Sequence, residues 1–178
     1  TWGGPMKHAF AGALHLAFHR RAERFDGGRS TGLMPLDLAD PDLHTARRWR
    51  DYGTIINTAA YTNVDLAETS DGRRDAWASN VTGVSSLARI ATANSITLVH
   101  ISSDYVFDGT SERPYREDDL FSPLGVYGQT KAAGDAIVAT VPRHYIIRTS
   151  WVIGDGKNFV RTMASLAERR VNPRGVDD

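Results

Sequence analysis

Ser103, Tyr127 and Lys131 are the residues through which this chain could move a proton. An apolar, β-branched run, Ile96–Ile101 (ITLVHI), predicts a buried strand. That strand would deliver Ser102, Ser103 and Asp104 to a carboxyl edge, where open α/β sheets bind their ligands. Downstream, Tyr127-Gly-Gln-Thr-Lys131 leads into AAGDAIVATV, a run of good helix formers with spaced apolar residues. Tyr and Lys four apart on a helix share one face.

The chemistry needs these types. A free tyrosine titrates near ~10 and is a poor acid–base at neutral pH. A neighbouring ammonium favours the phenolate and is expected to lower that value. A fixed serine hydroxyl can hydrogen-bond an oxygen on which charge develops. Together they suit protonation of a carbonyl oxygen as a hydride reaches its carbon. A Tyr-x-x-x-Lys pair alone occurs on many amphipathic helices with a surface lysine. The order of strand, Ser-Ser-Asp, Pro-containing loop and Tyr-x-x-x-Lys helix carries the argument.

Composition sets the outer bounds. The 178 residues suffice for one domain with a real core, and 41% hydrophobic with 24% charged residues is ordinary for a globular chain. Lys plus Arg (21) balance Asp plus Glu (21), so no global charge draws in nucleic acid or an anionic membrane. With no cysteine there are no disulfides, no thiolate catalysis and no Cys-based metal site, which fits a cytoplasmic protein. The first residues lack the pattern of a secretory leader, and no apolar run approaches the ~20 residues of a membrane span. The six His are scattered; Asp65 and Glu68 have no His at ligand spacing and read as helix-surface or capping residues. No metal site is expected.

SSDYVFDG, then a loop ending in SPLGVYGQTKAAGD, then RTSWV and NFV, resembles the extended short-chain dehydrogenase/reductases. Within them it is most similar to the dTDP-4-dehydrorhamnose reductase family. The resemblance runs from about Ile55 to Val160; residues 1–35 match poorly. It implies a doubly wound α/β domain of Rossmann type over residues 1–178, mainly parallel, ending before the family's substrate-binding part. It also implies NADPH or NADH as cofactor, a sugar-nucleotide substrate, no nucleic acid or membrane partner, and a homodimer as a possible assembly. The implied reaction reduces the 4-keto group of a dTDP-4-dehydro-6-deoxy sugar. Tyr127 would donate the proton, Lys131 would tune Tyr127 and hold the nicotinamide ribose, and Ser103 would bond the keto oxygen. Asp104, Tyr105 and Trp151 would line the substrate side. Asp37 and Leu38 would contact the adenine, and Ala59, Ala60, Tyr61 and Thr62 would lie beneath the cofactor.

Other elements have weaker signals. His8–Glu23 has helical spacing, and no second strand is evident before Leu36. If Thr1 matches the threonine before the family's glycine turn, Trp2, Pro5 and His8 stand where glycines would approach a pyrophosphate. Weak cofactor contact is then expected there. Arg20, Arg21, Arg24 and Arg29 are surface charges or candidates for a 2′-phosphate. Asp40 or Asp42 is expected to cap a helix running towards Arg50. Strands are expected at Thr54–Asn57 and His144–Arg148, and helices at Ala76–Asn94 and Asn158–Arg169. Asn80 falls in a segment that lies near the active site in the family. Two other readings fit the motifs. One is a sugar-nucleotide epimerase or 4,6-dehydratase, although dehydratases place an acid where Tyr105 stands. The other is a non-catalytic NADP-binding subunit resembling the regulatory subunit of methionine adenosyltransferase.

Overall fold

The computed structural model describes residues 16–20, 36–38, 40–150, 152 and 159–169. They belong to two compact units, one within 10–148 and one from Thr149 onward.

The first unit is built on a sheet of order β1-β2-β3-β4: β1 (Leu16–Arg20), β2 (Tyr52–Asn57), β3 (Thr97–Ser103) and β4 (His144–Thr149). β2 and β3 run parallel, with Thr54 opposite Thr97 and Asn57 opposite His100. β1 pairs antiparallel with β2, Leu16 opposite Asn57. The helix expected over His8–Glu23 is therefore wrong at Leu16–Arg20. The free edge of β2 presents a row of backbone donors and acceptors, and pairing with it overrides local helical spacing.

β3 buries alternate residues, Leu98, His100 and Ser102. This period of two marks a strand covered by helices. The helix expected at Ala76–Asn94 starts earlier, at Ser70. α1 (Ser70–Trp77) starts where the Thr69 hydroxyl accepts from Gly72 N at 3.1 Å. It passes through one π turn, Ala78–Gly83, into α2 (Val84–Ala93). α3 (Val126–Val138) follows the 107–124 loop. Leu87, Ile90, Ile96, Leu98 and Val138 fill the main core with at most 4% exposure each. Each such side chain contributes about 1.5–3 kcal/mol of burial.

The helix expected towards Arg50 is absent. Two single 3₁₀ turns, Leu43–Thr45 and Trp49–Asp51, stand there instead. The Asp40 carboxylate accepts from Asp42 N at 2.8 Å, an Asx-type turn that competes with a helix cap. Trp49 is buried and its indole N–H donates to Leu43 O at 3.1 Å, which bends the chain back between the two turns.

The 107–124 loop is stapled by its own side chains. Asp108 accepts from Thr110 N, Thr110 Oγ1, Tyr115 Oη and Ser122 Oγ at 2.7–3.1 Å. Arg113 forks onto Asp119 at 2.6 and 2.9 Å. Phe107 stacks on Tyr115, centroids 4.2 Å apart, and the Arg148 guanidinium lies over Phe107 and Phe121.

The second unit contributes α4 (Phe159–Glu168), the helix expected from Asn158. No helix among the described residues is long and apolar enough to cross a membrane.

Candidate active site

β3 ends on Ser103, at the carboxyl edge of the sheet, and the chain turns at once through Asp104–Val106. Ser103 Oγ donates to Asp104 Oδ1 at 2.9 Å and accepts from Tyr105 N at 3.2 Å, so its position is set from both sides. α3 comes down on this turn. A Cβ on Gly128 would lie 2.2 Å from Tyr105 O, so only glycine admits that approach. The approach brings Tyr127 close enough to Ser103 for that hydroxyl to act on its titration, and seats its ring edge-on to Tyr105, centroids 5.5 Å apart. Lys131, one turn further, is buried and donates from Nζ to Ile101 O at 2.7 Å.

The charges differ from the sequence expectation in one respect. Burial raises the Tyr127 pKa, Asp104 and Tyr105 add to the rise, and the Ser103 hydrogen bond opposes it. The lowering expected from a neighbouring ammonium does not contribute to this shift. Tyr127 is thus kept protonated, the form a proton donor needs. Burial pulls Lys131 down to about 8, against the attraction of Asp135.

Beneath the site lies a buried polar row. Asn57 Nδ2 is 2.9 Å from His100 Nδ1, as their cross-strand register dictates. His100 Nε2 is 3.8 Å from Asp135 Oδ1, and Arg148 Nε donates to Asp135 Oδ2 at 3.0 Å. Burial, with the Lys131 charge second, pushes His100 down to about 3. It is neutral at ordinary pH, so its contact with Asp135 is not an ion pair. Burial raises Asp135, opposed by hydrogen bonds from Ser102 and Arg148.

The segment 58–62 follows β2. The Asn57 carboxamide accepts from Ala59 N at 3.1 Å. Asn80, buried in the π turn, accepts from Tyr61 N at 2.8 Å, donates to Tyr61 O at 3.2 Å and donates to Thr130 Oγ1 at 2.9 Å. Thr130 in turn donates to Tyr127 O at 2.8 Å. Two asparagines thus fix the backbone of this segment and tie it to α3. Ala59, Ala60 and Tyr61 are half-buried and Thr62 exposed. Asp37 is exposed, whereas Leu38, expected beside an adenine, has its side chain in the core against Gly83. Asp104 and Tyr105 are exposed at the turn. Trp151, like Trp2, Pro5, His8 and the arginines at 21, 24 and 29, lies outside the described residues. Among the described residues no group of three His, Asp or Glu could hold a metal ion.

A family model, the RmlD substrate binding domain, matches residues 10–178. The chain belongs to that family. It is 43% identical over 146 residues to a dTDP-4-dehydrorhamnose reductase of Salmonella typhimurium, covering 80% of this chain and 48% of that protein. It is 47% identical over 118 residues to the Aggregatibacter actinomycetemcomitans protein of the same name, covering 65% and 40%. A solved dTDP-4-dehydrorhamnose reductase from Clostridium acetobutylicum is 37% identical with a TM-score of 0.70, covering 75% of this chain and 48% of that one. The one from Bacillus anthracis, solved in complex with NADP, is 35% identical with a TM-score of 0.68, covering 76% and 48%. The chain spans about half the length of the relatives it matches. Its sheet and helices are the Rossmann-type arrangement of those structures.

Within this family frame, sequence reasoning missed the residues under the site. His100 hides in an apolar strand, and only its alternation with Leu98 and Ser102 marks it as inward-facing. Asp135 stands one turn beyond Lys131 on the same helical face, a spacing that was available. Arg148 gives no local signal, since its partners lie on α3 and the 107–124 loop.

Proposed function

We propose that the protein carrying this chain reduces the 4-keto group of a dTDP-4-dehydro-6-deoxy sugar, dTDP-4-dehydrorhamnose to dTDP-rhamnose, with NADPH or NADH. The observation that carries the reading is the meeting of Ser103 and Tyr127 at the end of β3, with Lys131 buried one turn on. The residues suit a dinucleotide. Lys131 has three ammonium protons and donates one to Ile101 O, leaving donors for ribose hydroxyls. Half-buried Ala59 and Ala60 present a flat backbone surface held by Asn57 and Asn80. The bound cofactor supplies the hydride.

This chain's residues do the rest. Ser103 hydrogen-bonds the keto oxygen and holds it beside Tyr127. Tyr127, kept protonated by burial, gives its proton to that oxygen as charge develops there. Lys131 holds the ribose with the donors it does not spend on Ile101 O. Asp104 and Tyr105, exposed beside Ser103, line the sugar. Asp37 contacts the adenine. The names of the relatives support the substrate class, and the NADP complex of the Bacillus anthracis protein supports the cofactor. The reading carries with it a cytoplasmic location.

The test is turnover of dTDP-4-dehydrorhamnose by the native full-length polypeptide, followed by loss of NADPH absorbance, with NADPH binding measured by calorimetry. Turnover is expected. Cofactor binding without reduction of any 4-keto sugar nucleotide would contradict the reading and favour a non-catalytic NADP-binding subunit.

A further inference from the structure

We infer that Glu68 is a positioning residue for Tyr127, an inference that rests on the function proposed above. Tyr127 is the second residue of α3, in the turn whose backbone N–H groups have no helical partner. The residue before the helix, Gly125, has no side chain with which to cap it. The cap comes from 58 positions away: Glu68 Oε1 accepts from Val126 N at 2.8 Å. A Cβ on Gly125 would lie 2.9 Å from that oxygen, so the carboxylate sits close against the backbone of the capping position. A negative group at a helix N-terminus also matches the helix dipole.

Glu68 is itself placed. It ends the 3₁₀ turn Leu66–Glu68, which Asn63 Oδ1 fastens by accepting from Leu66 N at 3.1 Å. Its neighbour Ala67 is fully buried with Ala76 and Val126, and the rings of Tyr61 and Tyr127 pack against that cluster. The apolar cluster forms the floor under Tyr127, and Glu68 holds the edge of it. Glu68 and Ala67 belong to the stretch that continues from the 58–62 segment. Glu68 therefore fixes the start of the catalytic helix relative to the segment proposed to lie beneath the cofactor. Losing the cap frays the first turn and loosens the contact of Tyr127 with Ser103.

The experiment compares Glu68→Ala and Glu68→Gln in the full-length polypeptide. Glu68→Ala is expected to speed amide exchange at Val126 and lower kcat by roughly tenfold, the rate equivalent of a lost helix cap, with KM for the sugar nucleotide nearly unchanged. Glu68→Gln keeps a carbonyl acceptor and should restore most of both. In a Tyr127→Phe background, Glu68→Ala should slow the reaction no further. The inference is overturned if Glu68→Ala lowers stability but leaves kcat intact, if glutamine restores neither property, or if the effect persists undiminished in the Tyr127→Phe background. A wild-type protein inert toward 4-keto sugar nucleotides would overturn the functional reading instead. Val126 exchange and the Tyr127 ring signals in NMR spectra of Glu68→Ala then decide the positioning claim, which is supported if both change and overturned if either does not.

Discussion

Two polar clusters flank the candidate site, and they use charge in opposite ways. Asn57, His100, Asp135 and Lys131 lie buried beneath it, with Arg148 at their rim. Asp108, Arg113 and Asp119 organise the exposed loop above. In the buried row the leading cause of every shift is loss of water: His100 and Lys131 are pushed down and Asp135 up, all towards the neutral form. In the loop the leading cause is hydrogen bonding to the charged form: Asp108 and Asp119 are pulled down and Arg113 up. Similar side chains thus do different work. The buried row holds a lysine near its neutral–charged balance beside the proton donor. The loop holds fixed charges that order a segment with no regular structure.

The largest expected effect comes from breaking the buried row at Asp135. Asp135→Leu leaves Arg148 Nε without its acceptor and Lys131 without the attraction that opposes its desolvation. Unfolding by urea should show a loss of about 3–5 kcal/mol, the range for a buried pair with one partner removed. A loss below about 1 kcal/mol would show that the row is as exchangeable as a surface pair.

Acid tests the same row with a defined sign. Folded His100 stays neutral down to about 3, while in the unfolded chain it takes a proton near 6.5. Between those values the unfolded state binds more protons, so stability falls as pH falls. Asp135 acts in the other direction, since its raised pKa makes the folded state bind the extra proton. Comparing wild type with His100→Gln removes the histidine part alone. From about pH 7 to about pH 5, the wild type should lose about 2 kcal/mol more than the variant. Equal losses would place a charged histidine in the fold.

The loop should give the smallest effect. Arg113→Ala removes the fork onto Asp119, but Arg113 faces water and Asp119 is partly exposed. The unfolding midpoint should barely move, and the difference should shrink further with added salt. A shift as large as that of Asp135→Leu would erase the contrast between the clusters.

The parts of the candidate site that are local were legible: Ser103 ends an apolar strand, and Tyr127 and Lys131 share a helical face, while the approach of α3 to Ser103 depends on Gly128 packing on Tyr105 O. What was not legible depends on partners far along the chain. The strand at Leu16–Arg20 exists because β2 has an edge to pair, and the turns before Arg50 exist because Trp49 reaches back to Leu43. Asp65 and Glu68 read as surface or capping residues; Glu68 does cap, but the helix it caps is α3. The direction of the Tyr127 shift was missed for the same reason. Spacing puts Lys131 one turn away but does not show the burial that leads the shift.

The central claim is that Tyr127 is the proton donor, and Tyr127→Phe tests it most directly in the full-length polypeptide. The substitution keeps the ring against Tyr105 and the cluster of Ala67, Ala76 and Val126, and removes only the transferable proton. The account predicts a fall in kcat of about 100- to 10,000-fold, with NADPH and sugar-nucleotide affinities by calorimetry nearly unchanged. Undiminished reduction of the 4-keto sugar nucleotide by Tyr127→Phe would contradict it.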